Sequence, residues 1–457
     1  MKNLLWLLVA FATATGARAQ TIHFEKDSLP QVFAAAQRQH KPVLVVVAAP
    51  PPSAKLPAAF RQLGLHTPAV VSQLNRDFLN KELAFGTPAS RDAVRQYQVT
   101  SYPTYLYFAP DGSLLYRNSG SSSSETTYLR DLANVQTALA DPHNLSYFRR
   151  EYAQGNRAAD FLRQYVAKLR QLKQLVEPAV LDAYVQQLPV QALGQLSELV
   201  FILENGPVLN SKAYLATRLD YRHTDSLFLT LPSAQRLAFN NAIIRNSLAE
   251  AIATKDQSLA RLAADFSRRT WTKNYQRGMA SYNGNMLSFY QATKDTANYL
   301  GIALMYYDNI NRSVSADSAR KAVAAQQAFQ QAMQESRRPA GSPPSGATGV
   351  VTRVQAVPTG GDPAAFLQSL NNGAWGVYQT GTRNLQYLSR ALLWSKRTVD
   401  LAPTAYNSDT LAHLLYRLGF FSEAEARQSL AVALAIQAKA SPTTYQQELQ
   451  KIKSRTL

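Results

Sequence analysis

The sequence predicts an α/β domain at the N-terminal end and an all-α region of helical hairpins after it. Three observations carry this. Between residues 20 and 140, helical apolar spacing alternates with short β-branched or alternating runs, the pattern of helices laid on a sheet. From about Ser146 the strand pattern stops, and apolar residues recur only at three- and four-residue spacing. Near the C-terminal end, between Ala391 and Ala431, small residues, one glycine and aromatics recur where paired helices approach closely. The chain has 457 residues, enough for two or three domains, and its 46% hydrophobic and 17% charged content is ordinary for a globular protein.

The first nineteen residues are predicted to be a signal peptide. Lys2 supplies a short positive region, and Leu4 to Ala12 is an apolar run too short for a membrane anchor. Ala17-Arg18-Ala19 fits the small-x-small cleavage rule, and no cysteine stands there to take a lipid. The mature protein is therefore expected to be exported, periplasmic or secreted after cleavage near Ala19. No later apolar stretch is long enough for a transmembrane helix.

The next elements follow from local signals. Ser28 to Gln39 has helical spacing in Leu29, Val32, Phe33 and Ala36, with Ser28 as N-cap and Pro30 in the first turn. Lys41-Pro42 breaks it, and Val43-Leu44-Val45-Val46-Val47 is a continuous run suited to a strand buried on both faces. A second helix is expected after the loop at 50–54. Val70, Val71, Leu74, Phe78 and Leu79 suggest a helical stretch leading into a strand, and Arg91 to Tyr97 a short helix. Tyr102 to Phe108 reads as a strand, Asp111-Gly112 as a tight turn, and Leu114-Leu115-Tyr116 as the returning strand. Leu129, Leu132, Val135 and Leu139 mark a closing amphipathic helix.

Three strings in this region, Lys41-Pro42-Val43-Leu44-Val45, Tyr97 through Thr104 (YQVTSYPT) and Phe108 through Gly112 (FAPDG), occur together over roughly residues 25–140. In this the segment resembles the exported thioredoxin-like proteins. The resemblance implies a thioredoxin-like fold over 20–140, a cis peptide bond before Pro103, and a peptide-binding edge at Tyr102, Pro103 and Thr104, where an extended segment can pair with the backbone.

The family's Cys-x-x-Cys would fall on Pro52-Ser53-Ala54-Lys55, and the chain has no cysteine at all. Thiol–disulfide exchange needs a thiolate, so that chemistry is excluded. Pro50-Pro51-Pro52 favours a rigid extended loop and removes three backbone donors. Ser53 and Lys55, two residues apart near a helix start, do not readily bring hydroxyl onto amine, and no partner acid is evident. Pro52, Ser53, Ala54 and Lys55 are read as a degenerate redox loop.

After it, a helical domain is expected over 145–335, with apolar faces such as Phe161, Leu162, Tyr165, Val166, Leu169 and Leu172. Leu193, Leu196, Val200 and Leu203 form a second face; Met286, Phe289 and Tyr290, then Tyr299, Ile302, Ala303 and Tyr306, form a helix pair turning at Lys294-Asp295. Such tyrosine stripes read as helix–helix packing. Ser336 to Asp362, rich in Pro, Gly, Ser and Thr, reads as a flexible linker over 336–362. Over 363–457, Ala391, Ser395, Thr398, Leu401 and Pro403 resemble the second helix of a tetratricopeptide repeat, and Leu411-Ala412, Tyr416, Gly419, Phe421, Ala424 and Ala431 the next repeat. That resemblance implies binding rather than catalysis.

The net charge is +18, but it is spread thinly along helices, with no basic run longer than two. Nucleic-acid binding, which needs a concentrated patch, is not expected; weak attraction to anionic surfaces is compatible with the excess. The six histidines are scattered without metal-ligand spacing, and no phosphate loop or nucleophile elbow occurs, so neither metal nor cofactor is expected. Glu423 and Glu425 read as solvated. The expected function is a redox-inactive protein- or peptide-binding module of the cell envelope and not an enzyme. The alternative is an enzyme whose non-thiol site has moved to Ser53, Lys55 or groups between the domains.

Overall fold

The computed structural model describes residues 21–49, 64–335, 363–438 and 440–457. The expected signal peptide, the loop Pro50–Lys55 with the helix after it, and the linker 336–362 lie outside the described residues. The chain divides into two compact units, one of residues up to Pro207 with Ser211–Thr230, the other of Val208–Asn210 with Leu231–Leu457.

The first unit is built on a four-stranded sheet, β1 (Val43–Val47), β2 (Leu79–Leu83), β3 (Thr104–Phe108) and β4 (Leu114–Ser119), in the order β2-β1-β3-β4. β1 runs parallel to β2 and antiparallel to β3, and β3 runs antiparallel to β4. Around it lie α1 (Leu29–Gln39), α2 (Pro68–Asp77), α3 (Pro88–Gln96) and α4 (Glu125–Ala140). The apolar run of β1 is explained by strand alternation between two cores. Val43, Val45 and Val47 join Leu106 and Phe108 on one face, with Val32 and Ala36 of α1. Leu44 and Val46 join Tyr105 and Tyr107 on the other, against Val70, Val71 and Leu74 of α2 and Tyr128, Leu132 and Val135 of α4.

Local signals are realised where they were expected, with small shifts. Gln31 accepts a hydrogen bond from the Ser28 backbone N–H (3.0 Å) at the start of α1. α3 begins at Pro88 rather than Arg91, because the Thr87 hydroxyl caps it by accepting from Ser90 N–H (3.2 Å). Gly112, with φ +82°, supplies the left-handed turn between β3 and β4.

The unit does not stop at 140. α5 (Leu145–Ala153), α6 (Ala159–Gln171), α7 (Pro178–Gln186), α8 (Leu196–Glu204), α9 (Lys212–Ala216) and α10 (Tyr221–Thr230) complete it. Leu145, Phe148, Phe161, Tyr165 and Tyr184 belong to the same core as Val45 and Phe108. The helices expected as one domain over 145–335 are thus shared between the two units. Leu193 and Leu196 do not continue one helix face: Val190–Gly194 forms a tight turn of 3₁₀ helix after Pro189, Gln195 is extended, and α8 starts afresh at Leu196.

The second unit is helical throughout its described residues: α11 (Ser233–Thr254), α12 (Gln257–Arg269), α13 (Tyr275–Thr293), α14 (Thr296–Ser313), α15 (Ala316–Glu335), α16 (Pro363–Gln379), α17 (Leu385–Leu401), α18 (Ala405–Arg417), α19 (Phe421–Gln437) and α20 (Thr443–Lys453). The turn at Lys294-Asp295 is present: Lys294 is left-handed (φ 60°), and the Asp295 carboxylate accepts from Asn298 N–H (3.2 Å). Ala391, Ser395, Thr398, Ala412, Ala424 and Ala431 are fully buried, so small side chains let these helices approach closely. Glu425 lies 3.6 Å from Lys453 of α20. Among the described residues, no helix is long and apolar enough to cross a membrane.

Candidate functional site

The segment singled out by sequence, Tyr102-Pro103-Thr104, enters β3 in the first unit. The Tyr102–Pro103 peptide bond is cis. From Thr104 onward the backbone is committed to β1 on one side and β4 on the other. Pro103 C=O accepts from Gly120 N–H (2.8 Å). Thr104 is fully buried; its hydroxyl donates to Ser101 C=O (2.6 Å) and lies 2.8 Å from the Ser119 hydroxyl. Its side chain therefore braces the loop from inside and offers nothing to a ligand. Tyr102 is different. Its backbone N–H and C=O make no hydrogen bond among the described residues.

Beside Tyr102 lies a depression of about 420 Å³ lined by Phe85, Gly86, Ser90, Arg91, Val94 and Arg95. Tyr102 is 36% exposed and Phe85 46% exposed, and their rings meet edge to face at 5.3 Å. Two exposed aromatic rings in contact keep apolar surface in water, which is unusual away from an interaction site. Gly86, left-handed at φ +77°, turns the chain after β2 and brings Phe85 to the rim. Arg91 donates to Gly86 C=O (2.6 Å), and Arg95 pairs with Asp92 at 2.5 Å. The loop is held from behind by Arg117 of β4, which donates to Tyr97 C=O (2.6 Å) and Gln98 C=O (3.4 Å). Burial pulls the Arg117 guanidinium down from its ordinary value.

Among the described residues the lining has no carboxylate and no histidine. Pro52, Ser53, Ala54 and Lys55 lie outside the described residues. Among the described residues no group of three histidines or carboxylates could hold a metal ion. Of the histidines, His413 alone stands between two carboxylates. Its Nδ1 is 2.8 Å from Asp409 C=O, its Nε2 is 3.4 Å from the Glu448 carboxylate, and it joins α18 to α20.

Phe85 went unremarked in the sequence, and Arg91 and Arg95 were read only as part of a short helix. They come from the loop after β2 and from α3, and only the fold brings them to Tyr102. Comparison with family models, with curated proteins and with solved structures finds no match for this chain.

Proposed function

We propose that this chain is an exported, redox-inactive thioredoxin-like protein that holds an extended segment of another protein at the Tyr102–Pro103 edge, with tetratricopeptide-like hairpins at its C-terminal end. The sheet order β2-β1-β3-β4, entered through a cis proline before β3, supports the thioredoxin-like reading. The absence of cysteine removes the thiol chemistry of such a fold. The observation that carries the binding role is the main chain of Tyr102, without a hydrogen bond among the described residues, beside the exposed rings of Phe85 and Tyr102. An extended peptide gains main-chain hydrogen bonds at such an edge and specificity from the adjacent pocket. The pocket calls for a bulky apolar residue against Phe85 and Tyr102, with an acidic residue toward Arg91.

The test is selection from a random peptide library against the purified protein, followed by calorimetry. Selected peptides should carry the apolar–acidic pattern, and Phe85→Ala or Tyr102→Ala should weaken them tenfold or more. N-methylation of the peptide residue facing Tyr102 should abolish binding. If no peptide is selected, or if affinity survives both alanine variants, the edge is not a binding site.

A further inference from the structure

The second unit carries a groove that the Tyr102–Pro103 reading does not use. Two adjoining depressions, about 410 Å³ and about 340 Å³, share Gln291, Tyr299 and Gln379, and lie between α13, α14 and α16. Each falls in the size range of small-molecule sites. Tyr299, Tyr306 and Tyr307 of α14 all line the larger one.

None of these three phenol hydroxyls makes a hydrogen bond among the described residues. Tyr299 is the deepest of the three, only 4% exposed, and it lines both depressions. Burial holds all three phenols above their ordinary range, Tyr299 at about 12, so each remains neutral and able both to donate and to accept.

The sequence makes room for these rings. Gly373 and Gly376 lie one turn apart on α16. A Cβ at Gly373 would come within 2.6 Å of the Tyr307 ring, and one at Gly376 would collide with the Tyr299 hydroxyl. That hydroxyl therefore lies over Gly376, which itself lines the smaller depression. Opposite are amides: Gln291 donates to Gln379 Oε1 at 3.2 Å, and Asn372 accepts from Tyr406 at 3.2 Å. Trp375 adds an aromatic wall, stacked on Tyr378 at 5.0 Å.

Among the described residues no ionised side chain lines the larger depression, whereas Lys294 lines the smaller one. A charged ligand finds no counter-charge among the described residues of the larger depression. Neutral amides and phenols, each donor and acceptor at once, match vicinal hydroxyls, which are themselves donor and acceptor. The aromatic rings match the C–H face of a pyranose. We propose that the larger depression, between α13, α14 and α16, binds a neutral saccharide, with Tyr299, Gln291 and Gln379 as its hydrogen-bonding residues.

The test is titration of the purified full chain with hexamers of β-1,4-glucose, α-1,4-glucose and β-1,4-N-acetylglucosamine, by calorimetry and saturation-transfer NMR. Oligogalacturonate and an alanine–glycine hexapeptide serve as charged and peptide comparisons. At least one neutral hexamer should bind saturably. Tyr299→Phe should weaken it about five- to tenfold, the loss of one neutral hydrogen bond. Its unfolding midpoint should be unchanged or raised, because that hydroxyl has no protein partner to lose. Gln291→Ala should weaken binding similarly. Absence of binding by all three neutral hexamers overturns the proposal. So does preference for the peptide or the anionic oligomer, or binding by Tyr299→Phe and Gln291→Ala as tight as by the parent chain.

Discussion

In the first unit β1 and β3 bury every residue they contain, and apart from Thr104 those residues are valines, leucines, tyrosines and Phe108. In the C-terminal half of the second unit many fully buried helix positions are small, such as Ala391, Ser395, Ala412, Ala424 and Ala435, set beside larger ones such as Leu370, Leu414 and Trp394. The sheet fills a fixed gap, about 10 Å to each covering layer, with side-chain volume. The helix pairs shrink the gap instead, and then spend polar groups to fix the register. Trp394 donates to the buried Asp308 at 2.8 Å, Asn371 to Thr410 at 3.1 Å and Gln428 to Asp409 at 2.7 Å. One unit should therefore be intolerant of losing volume, the other of gaining it.

The largest expected effect is volume loss in the sheet. Phe108 is fully buried, edge to face with Phe33 at 5.1 Å and Tyr97 at 5.2 Å. Phe108→Ala should cost about 3–5 kcal/mol. Trp271, Trp375 and Trp394 belong to the second unit, and the fourth tryptophan, Trp6, falls in the expected signal peptide, so in the chain prepared without residues 1–19 tryptophan fluorescence follows that unit. Hydrogen exchange should report lost protection in β1 and β3 while the tryptophan transition stays in place. A shift of the tryptophan transition by the same amount would break the comparison, because the two units would then unfold as one.

The converse is volume gain in the helices. Alanine is the better helix former by about 1 kcal/mol, so an unobstructed Gly373→Ala would stabilise α16. Instead the new methyl meets the face of the Tyr307 ring at 2.6 Å. Overpacking of this kind costs about 1–3 kcal/mol. The tryptophan transition should move to lower denaturant. A midpoint that rises would mean that Tyr307 yields freely and that close approach is not what shapes this layer.

These contrasts explain what could be read from the sequence. The run Val43–Val47, the Asp111-Gly112 turn, the Lys294-Asp295 turn and Gly419, left-handed at φ +87°, are local signals, and each fixes its own backbone. An α/β region followed by helices was legible for that reason. The place where one core ends was not. Leu145 and Phe148 have the apolar spacing of any amphipathic helix, and spacing shows a face but not the surface it meets. The same limit hid the sites. Phe85 and Arg91 reach Tyr102 only through the turn at Gly86. The stripe Tyr299–Tyr306 was legible as packing, and Tyr299 does lie against Gly376 of α16, but periodicity says nothing of the depression that the same residues line.

The smallest expected effect is electrostatic and differs in sign between the units. Asp141 ends α4, and its carboxylate accepts from Lys168 Nζ of α6 at 2.9 Å and from His143 N–H at 2.9 Å. The Lys168 hydrogen bond holds the Asp141 carboxyl below the ordinary carboxylate value. Near pH 4 the unfolded chain therefore binds more protons at this residue than the folded one. Its contribution is fully present above the unfolded value of about 3.9 and is lost as pH falls through the folded one. In the second unit burial pushes Asp409 upward, among His413, Gln428 and Glu448. There the folded form holds the proton longer, and its contribution fades as pH rises through that raised value. Asp141→Asn should cost less than about 1 kcal/mol at pH 6, as partly exposed pairs do. The difference from the parent chain should shrink as pH falls below the unfolded carboxylate value of about 3.9, in the hydrogen exchange of α4 and α6. Asp409→Asn should show the reverse slope, matching the parent most closely at low pH and diverging as pH rises from the unfolded carboxylate value through the raised folded one. Equal slopes in the two variants would mean that the buried carboxylate is not penalised by its surroundings, and the electrostatic half of the comparison would fail.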